Sequence, residues 1–244
     1  MQISFQFDEF FDKDSKFEFD EFCEFEIFFF TITFISFRKL KAAQSTFEHS
    51  DFFQDFLRTW TRIFDKKENK EAISKIICLG LGNFAQNPHS VSAQIASKFQ
   101  LSFLLALLKT FSVQGLVFDP VLTKCEKEIL TALGFETPEE NLEGRYQVEE
   151  DQDKYTLFYL PHCPKQLTNN ILWANWESLQ NCVIIGNSFN SCVLNLSKRQ
   201  LESVSYLRQA SKFVKGNFSL RIGQINVKGT GKKSAAITQP LPLF

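Results

Sequence analysis

The hydrophobic positions between residues 73 and 189 form short apolar runs separated by longer segments with helical spacing. The strand-like runs are IICLGLG (76–82), GLVFDP (115–120), YTLFYL (155–160) and CVIIGNSF (182–189), with a shorter one at Gly134 and Phe135. Helices are predicted between them, over residues 93–111 and 124–133 and, after YTLFYL, through Trp173. Apolar strands alternating with crossover helices are typical of a parallel sheet covered on both faces. The pattern therefore predicts an α/β fold, a Rossmann-like three-layer sandwich with a mostly parallel sheet.

The segments before this body differ from it in composition. Residues 1–44 mix Phe with Asp and Glu without keeping the apolar groups on one face, which predicts a Phe-rich low-complexity extension. Residues 45–72 predict an amphipathic helix followed by a solvated linker at KKENK (66–70). The apolar stripe of that helix consists of Phe53, Phe56, Leu57, Trp60, Ile63 and Phe64.

The segments after the last apolar strand give a weaker pattern. Leu201, Val204, Leu207 and Phe213 allow one more helix, so the predicted domain spans residues 73–215. Residues 216–244 have the composition of a disordered tail.

Composition and charge exclude some classes of protein. The formal net charge is -1, so no overall basic field is present to hold nucleic acid or an anionic membrane. The longest apolar run near the N-terminus, at 27–37, is too short to cross a bilayer. The six cysteines are scattered without a CxxC pair, which indicates reduced thiols in an intracellular protein.

The first candidate site follows the first predicted strand. Residues 80–85 (GLGNFA) fit the pattern G-x-G-x-x-A, in which Gly80 and Gly82 would let the backbone approach a ligand and Asn83 would lie beside it. Asn87-Pro88 delays the helix, and the acid Asp119 follows too late for the usual dinucleotide fingerprint. Two interpretations stay open: a nucleotide or S-adenosylmethionine-like ligand, and a tight strand-to-helix turn.

Polar groups also follow the other predicted strands. The second strand ends at Asp119, the fourth in Pro161-His162-Cys163-Pro164 and the fifth in Asn187-Ser188. Because the carboxyl ends of parallel strands share one edge, we expect a ligand pocket there, with the following helix close by. The predicted pocket residues are Gly80, Gly82, Asn83, Asp119, Pro161, His162, Cys163, Asn170, Trp173, Asn187 and Ser188.

Several chemistries fit this set poorly. Neighbouring side chains of an extended segment point to opposite faces, so His162 and Cys163 are not expected to form a nucleophile and base pair. Only three histidines are present and none shows metal-ligand spacing, so no metal is predicted. Structural roles are the alternative: His162 would hold a loop, Asn169 and Asn170 would cap or tie loops, and Trp173 and Trp176 would pack in the core.

Several motifs in the same order resemble the Sensitivity-to-Red-light-Reduced family, or SRR-like domain. They are ICLGLGNF (77–84), QLSFLLALL (100–108), VFDP (117–120), LGF (133–135), NLEGRY (141–146), LFYLPHCPKQLTNNILWANW (157–176) and VIIGNSF (183–189). The resemblance covers residues 73–190, and the stretch from PHC through NNxLWxNW is its most diagnostic part. The family domain continues to a last strand with an acidic, Asn- and His-containing ending, which the sequence after Leu196 lacks.

The resemblance implies a cytoplasmic or nuclear regulatory protein. It implies a role in circadian and light signalling or in the control of haem biosynthesis, and it carries over no catalytic residue. The partners it leaves open are proteins or a small ligand, and the cofactor is unknown. Two alternatives remain: a nucleotide- or S-adenosylmethionine-dependent transferase, favoured by GLGNFA and Asp119, and a pure interaction module. The module would bind through its Trp-rich helix and the stripe from Phe53 to Phe64.

Overall fold

The computed structural model describes residues 44–63, 73–85, 91–148, 154–161, 163–213, 218–220 and 241–243. The predicted Phe-rich extension lies outside these residues, apart from its last position. Most of the tail predicted to be disordered also lies outside them. Two short strands are described within that tail.

Seven strands of the described residues form one sheet. They are β1 (Ile73–Leu79), β2 (Gln114–Phe118), β3 (Phe135–Glu136), β4 (Tyr155–Leu160), β5 (Cys182–Gly186), β6 (Phe218–Leu220) and β7 (Leu241–Leu243). Their order across the sheet is β3-β2-β1-β4-β5-β7-β6. The first five strands pair in parallel, and β7 and β6 pair antiparallel at the β5 edge. The mostly parallel Rossmann-like sheet predicted from the sequence is confirmed.

Helices connect the strands and extend the chain at both ends. A helical turn over residues 44–48 precedes α1. The helices are α1 (Asp51–Ile63), α2 (Val91–Phe111), α3 (Lys124–Ala132), α4 (Lys165–Ala174), a 3₁₀ helix (Trp176–Asn181), α5 (Phe189–Val193), α6 (Lys198–Glu202) and α7 (Ser205–Phe213).

The sheet is covered on both faces because its central strands carry apolar side chains on both faces over most of their length. In β1, Ile76 and Cys78 belong to the core on one face, and Ile77 and Leu79 belong to the core on the other. The first core contains buried side chains of α1, α2 and α3. The second contains buried side chains of α4, α5 and α7. Alternate residues of a strand point to opposite faces, so apolar runs of this kind need two helical layers.

The long helix α2 has the length and apolarity of a membrane span, but half of its most apolar window is buried inside the protein. Leu101, Phe103, Leu104 and Leu107 are among its buried residues and belong to the first core. Packing between the sheet and α1 therefore accounts for the apolar composition of α2.

The amphipathic helix α1 packs on α2 through aromatic rings. The ring of Phe56 contacts that of Phe103 edge-on, with centroids 5.2 Å apart, and Trp60 lies 4.7 Å from Phe111. Phe53 is buried in the same cluster. These contacts involve the apolar stripe read from the sequence, of which Phe64 lies outside the described residues.

Candidate functional site

The strand order places the carboxyl ends of β1 and β4 side by side. To one side of this pair the chain continues outward through β2 and β3, and to the other through β5. A reversal of strand order between neighbouring parallel strands opens a crevice at their carboxyl ends, which is where such sheets bind ligands. The Gly80 turn (residues 80–85) follows β1 at this point, and the segment 161–164 follows β4.

The two glycines of the Gly80 turn are required by the backbone. Gly80 and Gly82 both have a φ of 75°, a left-handed conformation that side chains disfavour. A Cβ atom added to Gly82 would also lie 2.6 Å from the hydroxyl of Ser97 on α2. The turn therefore combines a left-handed backbone with close contact to α2.

Asp119 ties the Gly80 turn to the end of β2. Its Oδ2 accepts a hydrogen bond of 2.8 Å from the backbone N–H of Gly82, and its Oδ1 accepts one of 3.1 Å from that of Val121. The carboxylate is buried. The structure thus brings Asp119 to the turn, as expected, and both of its oxygens contact the protein's own backbone.

Glu126 on α3 is a residue of this site that the sequence analysis missed. Its side chain is 0% exposed, and Oε1 accepts hydrogen bonds from the backbone N–H groups of Phe84 at 2.6 Å and Ala85 at 2.8 Å. Oε2 accepts from the side-chain amide of Asn83 at 2.9 Å, and from the backbone N–H and the hydroxyl of Thr123. The spacing T-x-x-E at 123–126 signals a capping box, which α3 has. The T-x-x-E spacing does not predict the hydrogen bonds between Glu126 and the turn after β1.

The segment after β4 contacts the end of β1. The Cys163 thiol donates a hydrogen bond of 3.0 Å to the carbonyl oxygen of Leu79. The exposed Asn187, after β5, donates from its side-chain amide to the Cys163 carbonyl at 3.5 Å. Pro161 is buried, and His162 lies outside the described residues. The ends of β1, β4 and β5 therefore meet as predicted, whereas the predicted role of His162 stays a prediction.

Burial and charge keep the Cys163 thiol protonated. Burial, with a smaller contribution from the nearby Asp119 carboxylate, raises the pKa of Cys163 to about 12. The pKa of Cys78 on β1 is also raised, by burial and by Cys163 and Asp119. Because the thiolate is the nucleophile, Cys163 is unreactive near neutral pH.

Ser188 has a structural role at the start of α5. Its hydroxyl accepts a hydrogen bond of 3.2 Å from the backbone N–H of Ser191, which makes Ser188 the N-cap of that helix. The residue is buried. Its polar atom is therefore directed at a helix end.

Asn170 and Trp173 lie on α4, away from the contacts described above. The side-chain amide of Asn170 donates to the carbonyl oxygen of Glu143, in the loop after β3, at 2.8 Å. Trp173 is 51% exposed, so core packing does not explain it. Trp176, by contrast, packs edge-on against Tyr206 at 5.0 Å.

Two further asparagines of the same segment tie α4 to its neighbours. Asn169 Oδ1 accepts from the backbone N–H groups of Tyr206 at 3.0 Å and Leu207 at 3.2 Å, at the start of α7. Asn175 is buried and bonds the backbone of Tyr146, Val148 and Ile171 through its side chain, each at 2.8 Å. Capping and loop tying are the structural roles predicted for Asn169 and Asn170, and the contacts of both residues are of that kind.

The described part of the chain shows no metal-binding cluster. Within those residues, no group of three or more His, Cys, Asp or Glu side chains is placed to hold an ion. The Asp119 and Glu126 carboxylates and the Cys163 thiol are hydrogen-bonded to backbone groups.

The fold defines a Rossmann-like α/β domain with polar groups at the carboxyl ends of the neighbouring strands β1 and β4. The SRR1 domain model matches residues 44–230, most of the chain. The chain therefore belongs to the SRR1 domain family.

Two animal proteins and one plant protein are similar to about half or more of the chain. The chain is 37% identical over 58% of its length to an SRR1-like protein of Mus musculus and 34% identical over 49% to one of Drosophila melanogaster. It is 30% identical over 62% of its length to the protein SENSITIVITY TO RED LIGHT REDUCED 1 of Arabidopsis thaliana. These matches cover 55%, 41% and 55% of the relatives, so the chain spans about half of their length. No solved structure matches the chain at a significant level.

Proposed function

We propose that this chain is a regulatory protein of light and rhythm signalling that works by binding a protein partner or a small ligand. Membership of the SRR1 family supports the proposal, together with the similarity to an Arabidopsis protein whose name records reduced sensitivity to red light. The proposed binding site is the strand edge, by which we mean the edge of the sheet formed by the carboxyl ends of β1 and β4.

One observation favours a binding role over a catalytic one: the reactive groups at that edge are already hydrogen-bonded to the protein's own backbone. The Asp119 and Glu126 carboxylates accept backbone hydrogen bonds, and the Cys163 thiol donates one. A general base must reach the proton that it removes, and a nucleophile must be activated. These three side chains meet neither requirement in the described structure.

Complementation tests the signalling role. The chain is expressed in Arabidopsis plants that lack the matched protein, and seedling elongation is measured under red light and in darkness. We expect the red-light response to recover while growth in darkness stays unchanged. Normal accumulation of the protein without any recovery would contradict the proposal.

A ligand panel separates binding of a small molecule from a purely protein-based role. A ligand that binds only the folded state raises stability by about 2.7 kcal/mol at one hundred times its Kd. ATP, NAD, S-adenosylmethionine and haem are each titrated against the purified chain, and Tm is measured. A saturable rise with S-adenosylmethionine or a nucleotide would favour the transferase alternative. No rise with any of them, together with capture of a specific partner, would favour the interaction module.

The link to haem biosynthesis and the site of action are further parts of the proposal and rest on the family resemblance. Removing the protein from its own cells is expected to change total haem content. Fractionation is expected to find it in the cytoplasm and the nucleus. Unchanged haem alongside an altered light response would remove the haem link and leave the signalling role in place.

A further inference from the structure

The Gly80 turn has the geometry of an anion-binding turn. The successive backbone N–H groups of Phe84 and Ala85 both point at one oxygen atom, Glu126 Oε1. Consecutive N–H groups converging on one point form a concave site that binds phosphate or carboxylate in many proteins. Here the anion is supplied by the chain itself.

Other donors near the turn are also hydrogen-bonded within the protein. The backbone N–H of Gly82 donates to Asp119, and the Asn83 side-chain amide and the Thr123 N–H and hydroxyl donate to Glu126 Oε2. The Glu126 carboxylate is thus surrounded by five donors and is fully buried. Among the ion pairs of the described residues, none includes Glu126. Hydrogen bonds take the place of a counter-ion.

We propose that Glu126 is the resident anion of the Gly80 turn and the specificity-determining residue of the strand edge. It keeps phosphate and carboxylate groups of other molecules off the amides of Phe84 and Ala85. A ligand of this edge must therefore be neutral or cationic where it meets the turn. The inference goes beyond the proposed signalling role and does not depend on it.

An external phosphate would have to displace the Glu126 side chain to reach these amides. Displacement would move a carboxylate that closes the N-terminal cap of α3 and would leave the N–H of Thr123 without its acceptor. Two negative groups cannot share the amide site without strong repulsion. The amides of Phe84 and Ala85 are therefore closed by occupancy to the diphosphate of a dinucleotide and to the carboxylate of S-adenosylmethionine.

The experiment replaces the internal anion by an external one. Glu126→Ala in the purified chain removes both oxygens and leaves the amides of Phe84, Ala85 and Thr123 open. Glu128→Ala is the matched control, because it removes the same charge from the same helix at a half-exposed side chain. Tm is measured in formate, acetate, inorganic phosphate and chloride at equal ionic strength.

For wild type and Glu128→Ala we expect no saturable rise of Tm with any of the four anions, only the unsaturable stabilisation that salts such as phosphate give folded proteins generally. For Glu126→Ala we expect a Tm lower by about 10 °C, from buried donors left unpaired. Formate, acetate or phosphate should restore at least half of that loss with a saturable dependence on concentration, and chloride should not. The proposal would be overturned if phosphate raised the Tm of wild type saturably and by as much as that of Glu126→Ala. It would also be overturned if no anion raised the Tm of Glu126→Ala.

A second measurement covers the case in which Glu126→Ala does not fold. The amide resonances of Phe84 and Ala85 are followed by NMR in the wild-type chain during titration with inorganic phosphate. We expect no shift up to millimolar phosphate, because the Glu126 oxygen already accepts both hydrogen bonds. Selective shifts of these two resonances at that concentration would show that the turn binds external phosphate, and the proposal would fail.

Discussion

At the scale of single residues, polar side chains in this domain bond backbone groups that strands and helices leave unpaired. Glu126 accepts from the turn after β1, Cys163 donates to the carbonyl of Leu79, and Asn169 accepts from the first N–H groups of α7. A buried N–H or C=O without a partner costs free energy, so each of these contacts stabilises a chain segment that has no ladder of its own. Substituting such residues is expected to affect stability before it affects binding.

Cys163 is expected to make the folded state sensitive to alkaline pH. Its pKa is about 12 when folded, against the ordinary 9.0, so between these values the unfolded chain releases a proton that the folded chain keeps. The stability that burial of the neutral thiol confers is complete below pH 9. Above that pH, this group lowers the free energy of unfolding by about 1.4 kcal/mol for each pH unit.

Urea unfolding between pH 8.5 and 10.5 measures this effect in wild type and in Cys163→Ala. As the pH rises, the free energy of unfolding should fall less steeply for Cys163→Ala than for wild type. The difference between the two slopes should be close to that caused by release of one proton. Cys192→Ala is the control, because its thiol is less buried and Lys165 opposes the rise of its pKa. Equal slopes in wild type and Cys163→Ala would show that the thiol is not protected in the folded protein.

Asn175→Ala is expected to destabilise the domain by about 2–4 kcal/mol. The side chain bonds the backbone of Tyr146, Val148 and Ile171, and its removal leaves buried polar groups unpaired. Asn170→Ala is the matched control, since it loses one bond at a partly exposed site and should cost under about 1 kcal/mol. Denaturant unfolding gives both values. Equal costs would mean that the loop at 146–148 does not depend on Asn175.

At the scale of elements, α1 belongs to the first core although it precedes the first strand. Phe53, Phe56 and Trp60 are buried against α2, so α1 contributes to the helical layer on that face of the sheet. Without α1, the aromatic face of α2 around Phe103 would be exposed. An exposed apolar patch of that kind promotes aggregation.

Phe56→Ala is expected to lower the free energy of unfolding by about 3–5 kcal/mol, because it opens a cavity among the rings of Phe53, Trp60 and Phe103. Leu57→Ala changes the next position of α1, which is only partly buried, and serves as the control. Its cost should be well below that of Phe56→Ala. Denaturant unfolding of both variants decides, and similar costs would argue against a close α1–α2 interface.

At the scale of the whole molecule, the strand order determines where polar groups can meet. β1 and β4 lie at the centre of the sheet, and each pairs with a strand on both sides. Their carboxyl ends bring together segments that are far apart in the chain, such as Leu79 and Cys163. The candidate binding edge is therefore a property of the complete sheet.

The rates of native-state amide hydrogen exchange are expected to follow the position of each strand in the sheet. Amides of β1 and β4 should exchange most slowly, because both strands pair over five residues on each side. The outer sides of β2 and β5 pair at only two positions and one position. Amides of β3, which has two residues and one parallel neighbour, should exchange fastest among the five parallel strands. Exchange measured by mass spectrometry or NMR tests the ranking. Protection of β3 equal to that of β1 would contradict this sheet order.

The amino-acid sequence determined the five parallel strands and the helices α1 to α4 and α7, whereas the antiparallel strands β6 and β7 and the short helices α5 and α6 were not predicted from it. Those features depend on local patterns: runs such as YTLFYL are apolar on both sides of a strand, and the stripe of α1 repeats with the helical period. The direction of the strands also placed Gly80, Asp119, Cys163 and Asn187 at one edge in advance, because the ends of parallel strands share an edge.

Only the tertiary structure decided which partner each polar side chain meets. The sequence shows Glu126 as the acid of a capping box, but its contact with Phe84 and Ala85 depends on the packing of α3 beside the turn after β1. Asn170 and Asn175 are the same residue type on neighbouring turns, yet one ties Glu143 and the other holds the loop at 146–148. Side-chain type fixes what a group can donate or accept. The partner comes from distant segments, and their relative positions are set by burial of the whole sheet.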